Sequence, residues 1–196
     1  MSIPRLKIFF STPGPICMSF KNIKVHRSEI LTDVVIFEPS IFWDERGNIY
    51  TSYHRDLFSE FLPASLDFKH DKFAQSKHNV LRGLHGEHKT WKLVSCVWGE
   101  IYEVVVDMRS DSPSYKKWDA FELCSDRYRQ VLIPPGFVNG YYVQSRQAVF
   151  HYKLAYTGEY LDADEQLTVM WNDPEVGVKW PCSDPILQAR DKKYKT

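Results

Sequence analysis

The chain carries no net charge: 25 Lys and Arg balance 25 Asp and Glu over 196 residues. With no excess of either sign there is no global pull toward nucleic acid or a charged membrane surface, so any anion must be held by local groups. Cysteine is sparse and scattered. Cys17, Cys96, Cys124 and Cys182 form no CxxC pair, which argues against a zinc knuckle or a disulfide framework and fits reduced thiols in a cytoplasmic protein. Long apolar runs are missing as well, so no membrane helix is expected. The opening MSIPRLKIFFSTPGPICMSFKN has an apolar patch, but Pro13, Gly14 and Pro15 interrupt it before a signal-peptide core could form. Low-complexity segments, linkers and exact repeats are absent too. Helix-forming pattern is nearly so, being confined in the first half to one or two turns in residues 57–66 before Pro63.

What the chain does have is aromatic side chains, 15% of the total, which favour strands and ring-stacking surfaces over helical bundles. Residues 1–28 read as an N-terminal arm or leader and 29–196 as one domain, long enough to bury a sizeable core. Residues 30–39 (ILTDVVIFEP) predict a first strand, possible also as an intermolecular one, ended by proline. Asp44-Glu45-Arg46-Gly47 predicts a charged turn between two aromatic strand segments. Residues 92–98 and 101–108 flank a turn at Gly99-Glu100 and predict a hairpin. Further strands follow at regular spacing around the turn Pro134-Pro135-Gly136-Phe137, the rhythm of an all-β sandwich or barrel. The polar, Trp-containing segment after Tyr156 is expected to pack back onto the domain.

The chemistry concentrates in residues 80–94, VLRGLHGEHKTWKLV, where Arg82, His85 and Lys92 interrupt strand-forming sequence. Charge in a strand is costly unless it is used. Arg offers a planar fork for phosphate or carboxylate, His exchanges a proton near neutral pH, and Lys can steady a developing oxyanion. That set suits proton abstraction beside a carbonyl in a phosphorylated substrate. A lone strand histidine is more often packed or on the surface, so the stretch alone leaves both readings open. Arg82 and His85 are three apart and would face opposite sides of a regular strand, which predicts an irregularity at Gly83.

Two features, residues 82–85 with Gly99-Glu100 beyond them and the PPGFVN segment ending at Asn139, look like the two halves of a cupin barrel. Metal-binding cupins place paired histidines in the first half and another after the PxGF turn. Here His85 and His88 are spaced HxxH, and Asn139 stands where the second-half histidine would be. No metal is expected, and no other cofactor.

The motifs DERG, LRGLH, KLV, GEIYEVVVDMR, SPSY, IPPGF, the Tyr152-Lys153 pair, WNDPEVGVKWP and PILQARD resemble, in order, those of the dTDP-4-dehydrorhamnose 3,5-epimerase family of nucleotide-sugar epimerases, over residues 34–192. The resemblance implies a double-stranded β-helix (cupin or jelly roll) with a short helical C-terminal segment. It also implies a homodimer whose N-terminal strands are exchanged or added across the interface. Residue by residue, His85 matches the general base, Asp191 the carboxylate that orients it, Tyr152 the proton donor on the other face of the sugar and Lys92 the lysine near the keto oxygen. Arg46 and Arg82 match pyrophosphate-binding arginines, Arg46 serving the partner's pocket, and Glu165 and Lys192 match substrate contacts.

The departures are equally specific. Asn139 replaces a histidine after PPGF, Lys72 lies in a segment reading HDKF where the family has a QDN-type nucleotide contact, Thr51 replaces a glutamate, and Gly86-Glu87 replace a tyrosine-glutamine pair. These positions are base and sugar contacts, so Lys72 and Asn139 join the expected substrate-binding set. The combination is similar to a branch acting on GDP-linked 4-keto heptoses in bacterial capsule synthesis. Alternatives left open are dTDP-4-dehydrorhamnose 3,5-epimerase proper, a 3,4-ketoisomerase on the same scaffold, and a catalytically silent cupin that binds a sugar nucleotide.

Overall fold

The computed structural model describes residues 23–161, 163 and 165–192; most of the expected arm or leader, and Asp162 and Asp164 of the polar C-terminal segment, lie outside the described residues. The strands are β1 (Lys24–Arg27), β2 (Val35–Glu38), β3 (Phe42–Asp44), β4 (Gly47–Ile49), β5 (Phe68–Lys77), β6 (Leu81–Gly86), β7 (Trp91–Trp98), β8 (Glu100–Asp107), β9 (Trp118–Cys124), β10 (Gln130–Ile133), β11 (Phe137–Val143), β12 (Gln147–Ala155) and β13 (Leu167–Thr168). A four-residue helix, α1 (Arg55–Phe58), runs into a 3-10 turn at Ser59–Phe61, and a second 3-10 turn spans Ala189–Lys192.

Two sheets of antiparallel strands carry the fold. One has six strands in the order β1-β2-β10-β7-β12-β5, the other five in the order β13-β6-β11-β8-β9, and β3–β4 form a separate hairpin. This is the all-β jelly-roll arrangement. Leu31, Val94, Val131 and Phe150 from the first sheet and its approach pack against Val105, Phe121, Phe137 and Tyr141 from the second, so the main core lies between the sheets. The outer faces are covered too. Phe58 of α1, with Phe61 and Tyr53, lies on Val35, Phe37, Leu93 and Leu132, while Val169, Val176 and Trp180 of the C-terminal segment lie on Leu84, Val104 and Val138. Burying a side chain such as Phe58 completely contributes about 1.5–3 kcal/mol before cavity effects.

That double coverage explains where sequence pattern and structure part. A strand buried on both faces loses its two-residue alternation. β7 and β8 therefore look like the arms of one hairpin but belong to different sheets: β7 pairs with β10 and β12, β8 with β9 and β11. Gly99, at φ +81°, takes the chain across. The expected strand over residues 30–39 begins instead at Val35, because Ser28 Oγ accepts the backbone N–H groups of Ile30 and Leu31 and closes a turn there. β1 then precedes it and pairs with β2, which lies inside this chain's own sheet. Cys96, Cys124 and Cys182 are free thiols; Cys17 lies outside the described residues. No helix among the described residues is long and apolar enough to cross a membrane.

Candidate active site

A cavity of about 360 Å³ opens between the two sheets, and both supply its walls. Arg82 and His85 on β6 and Asn139 on β11 come from the five-stranded sheet. Lys72 on β5, Lys92 on β7 and Tyr152 on β12 come from the six-stranded sheet, and Gln188, Arg190 and Asp191 from the C-terminal segment. A ligand between them meets titratable groups from two opposed sides.

β6 presents both Arg82 and His85 because it bulges. Between His85 and Arg82 it spends three residues where β11 spends two, from Asn139 to Tyr141. The extra residue corrects the parity, as expected at Gly83. Gly83 has φ +126°, and a Cβ there would lie 2.4 Å from the Gly140 Cα. Only glycine fits.

The C-terminal segment reaches His85 by docking beside the start of β6, where Leu81 N–H donates to the Ile186 carbonyl and Ile186 N–H to that of Asn79. Asp191, 1% exposed, then sits with Oδ1 2.6 Å from His85 Nε2. A carboxylate at that distance requires the hydrogen on Nε2, which leaves the lone pair on Nδ1. The same Nε2 is 3.0 Å from Arg190 Nε. A nitrogen already donating to Asp191 has no lone pair for a second donor, so we assign Arg190 the role of a nearby positive charge, tethered by the Ala163 carbonyl and Gln166 Oε1. Burial holds the imidazole below its usual pKa, Asp191 opposes that shift, and Arg190 and Lys92 add to it. A neutral imidazole near pH 7 follows.

Lys92 Nζ donates to the His85 carbonyl at 2.9 Å and to Asn139 Oδ1 at 2.8 Å, which leaves one N–H of the ammonium for the cavity. Burial brings its pKa down to about 8, against the pull of Glu87 and Glu103. Tyr152 lies opposite Lys72 and Val94 in register, while its neighbours His151 and Lys153 point to the other face and pair with Asp71. Burial drives the Tyr152 phenol well above its usual pKa, so it is a protonated donor at neutral pH. Arg82 Nε donates to Ser76 Oγ at 3.0 Å, and Lys72 Nζ lies 4.9 Å from the Tyr160 ring centroid. Among the described residues no group of three or more His, Cys, Asp or Glu side chains is placed to hold a metal ion.

The arrangement offers a neutral base, a cation and a protonated phenol around one cavity. Comparison with known proteins gives the same class: the family model for dTDP-4-dehydrorhamnose 3,5-epimerase matches residues 28–196. The chain belongs to that family. It is 39% identical over 165 residues to the dTDP-4-dehydrorhamnose 3,5-epimerase of Salmonella typhimurium, covering 82% of this chain and 88% of the relative. Among solved structures, the dTDP-6-deoxy-D-glucose-3,5-epimerase of Legionella pneumophila, in complex with dTDP-4-keto-L-rhamnose, superposes with a TM-score of 0.79 at 33% identity, covering 87% of this chain and 90% of that one. A dTDP-4-dehydrorhamnose 3-epimerase of Streptomyces niveus is 33% identical over 155 residues, 76% of this chain and 72% of that one. The chain is thus an isomerase of the nucleotide-sugar epimerase class.

The structure gathers His85, Tyr152, Asp191, Lys92, Arg82, Asn139 and Lys72 at the cavity. Arg46 lies elsewhere, paired with Asp44 at the tip of the exposed β3–β4 hairpin, and Glu165 and the exposed Lys192 do not line the cavity of the single chain. Sequence reasoning missed Gln166 and Tyr160, which come from loops without strand rhythm, Arg190 of the C-terminal 3-10 turn, and the two buried acids Glu87 and Glu103. Glu103 carried the same signal as Lys92, a charge inside an apolar strand.

Proposed function

We propose that the chain inverts C3, or C3 and C5, of a nucleotide-linked 4-keto sugar, and that its substrate is a GDP-linked 4-keto-6-deoxy-heptose used in bacterial capsule or surface polysaccharide synthesis in the cytoplasm. The observation that carries this reading is the convergence of the His85–Asp191 pair, Lys92 and Tyr152 on one cavity from opposed sheets. A C4 ketone acidifies the hydrogens on C3 and C5. His85 Nδ1 takes one of them, the Lys92 ammonium stabilises the enolate oxygen that results, and the Tyr152 phenol returns a proton from the other side, which inverts the centre. Asp191 holds the imidazole in the tautomer that leaves Nδ1 basic. Arg82 holds the pyrophosphate, joined by Arg46 from the second chain of a homodimer.

Support for the GDP-heptose reading is local: Lys72 and Asn139, two of the departures from the family pattern, both line the cavity. A second reading, dTDP-4-dehydrorhamnose itself, is favoured by the names of the relatives. Incubation with each 4-keto sugar nucleotide in D2O, read by mass spectrometry and NMR, separates them. Deuterium at C3 and C5 of the GDP-heptose supports a 3,5-epimerase and at C3 alone a 3-epimerase. Exchange of the dTDP-hexose only overturns the GDP assignment, a carbonyl moved to C3 reveals a ketoisomerase, and tight binding without exchange reveals a silent binder.

A further inference from the structure

Glu103 is 0% exposed in β8, within a strand otherwise built of Ile, Tyr and Val between its terminal acids. Its Oε1 accepts from Asn139 Nδ2 at 2.8 Å, and its Oε2 has no hydrogen-bond partner among the described residues. A buried carboxyl placed this way is costly to keep. It stands behind a group the reaction needs.

Asn139 joins Glu103 to Lys92, and chemistry allows its amide one orientation. An ammonium only donates, so the atom 2.8 Å from Lys92 Nζ must be the amide oxygen. The NH2 group then faces Glu103, whose Oε1 accepts from it; a glutamine there would keep an acceptor oxygen but lose the charge. With an apolar residue at 103 the amide would lose the partner that holds it and could turn its NH2 toward the ammonium.

We propose that Glu103 is a positioning residue for the epimerase reaction: through Asn139 it fixes the acceptor that aims the Lys92 ammonium into the cavity, and its ionised carboxylate favours the charged form of that ammonium. The inference deepens the proposed function and rests on it for its catalytic readout. Lys92 is faced by Glu87 from the end of β6 and Glu103 from β8, which favour the cation, and by Arg190 from the C-terminal turn and Lys72 from β5, which oppose it. His85 and Asp191 complete its surroundings. Burial raises Glu103 to about 8, the same range as Lys92, so the two exchange protons over one pH window and titrate as a pair.

The sign follows directly. Removing the Glu103 charge removes a group that favours protonated Lys92, so the lysine must lose its proton at lower pH. In ligand-free protein labelled at lysine Nζ and Cε, with the Lys92 signal assigned by its loss in Lys92→Arg, the NMR titration midpoint is expected to fall by about one pH unit in Glu103→Gln, the size of an ordinary environmental shift. Glu103→Asp keeps the charge and is expected to stay closer to the parent, although it leaves more empty volume. If packing alone mattered, the order would reverse and the midpoint would not move. In D2O exchange at pH 8, Glu103→Gln is expected to lose about fivefold in kcat, because a midpoint moved down one unit from about 8 takes the charged fraction of Lys92 from about one half to about one tenth, with KM less affected. An unchanged Lys92 midpoint in a folded Glu103→Gln protein overturns the proposal. Absence of exchange by the parent protein overturns the proposed function instead, and leaves the substrate-free titration standing on its own.

Discussion

At the scale of single residues, Tyr152 and His85 can be told apart because they act on different bonds. In the proposed reaction His85 breaks the C–H bond and Tyr152 makes a new one from the opposed sheet, so Tyr152→Phe is expected to keep solvent exchange while losing inversion. NMR would then show deuterium entering the unepimerised sugar; full loss of exchange would remove Tyr152 from the role of acid. The pH dependence follows from the same groups. The base must be neutral, and burial sets its folded pKa below 6.5, so kcat/KM is expected to fall only as pH drops below that value. The ammonium must be charged, and Lys92 lies near 8, so activity is also expected to fall as pH rises through that region. A pH profile of deuterium exchange with no loss between pH 7 and 9 would separate Lys92 from the chemistry. Tyr152 came only with the family resemblance, whereas His85 and Lys92 were legible in sequence because charge inside strand-forming pattern is costly and draws notice. Arg190 was not, since an arginine in a polar tail looks solvated until the docking of Ile186 beside β6 brings it to His85.

At the scale of elements, β6 is the piece on which the site depends. Its bulge at Gly83 puts the arginine and the histidine on one side, and a side chain at Gly83 would meet the Gly140 backbone. Gly83→Ala is therefore expected to cost more than about 1–3 kcal/mol, the usual strain of such a backbone conformation, measured as a drop in the urea midpoint. Activity should fall further than stability explains, because relief of the clash moves Arg82 relative to His85. A variant of unchanged stability and turnover would show that β6 tolerates a regular path. The bulge was readable because spacing and parity conflict within four residues. The partnering of β7 was not: its burial pattern is nearly continuous, and a turn of suitable length does not say whether the chain folds back in the same sheet or crosses to the facing one. Long-range cover from α1 and the C-terminal segment decided that, and neither is visible in a local window.

At the scale of the molecule, the β3–β4 hairpin raises the question of a second chain. It projects Trp43, 60% exposed, and Ile49, 57% exposed, on either side of a turn whose Arg46 is held by Asp44. The register sets Trp43 opposite Asn48 and Ile49 opposite Phe42, so each face of the hairpin exposes one large apolar side chain, and exposed apolar surface of this kind is a feature of surfaces that meet a partner. A bidentate pair already formed with Asp44 also orders the Arg46 fork before any phosphate arrives. If the arm completes the cavity of a second copy, assembly and substrate affinity are one property. Light scattering on the purified protein is expected to give twice the 23.0 kDa chain mass, and Trp43→Glu is expected to shift it toward the monomer. The same variant should raise KM much more than it lowers kcat, because His85, Lys92 and Tyr152 all come from one chain while the pyrophosphate loses an arginine. Arg46→Ala should reproduce the KM effect with the dimer intact. A wild-type protein that is monomeric and fully active would return Arg46 to the role of a solvated turn residue and leave Arg82 alone on the pyrophosphate.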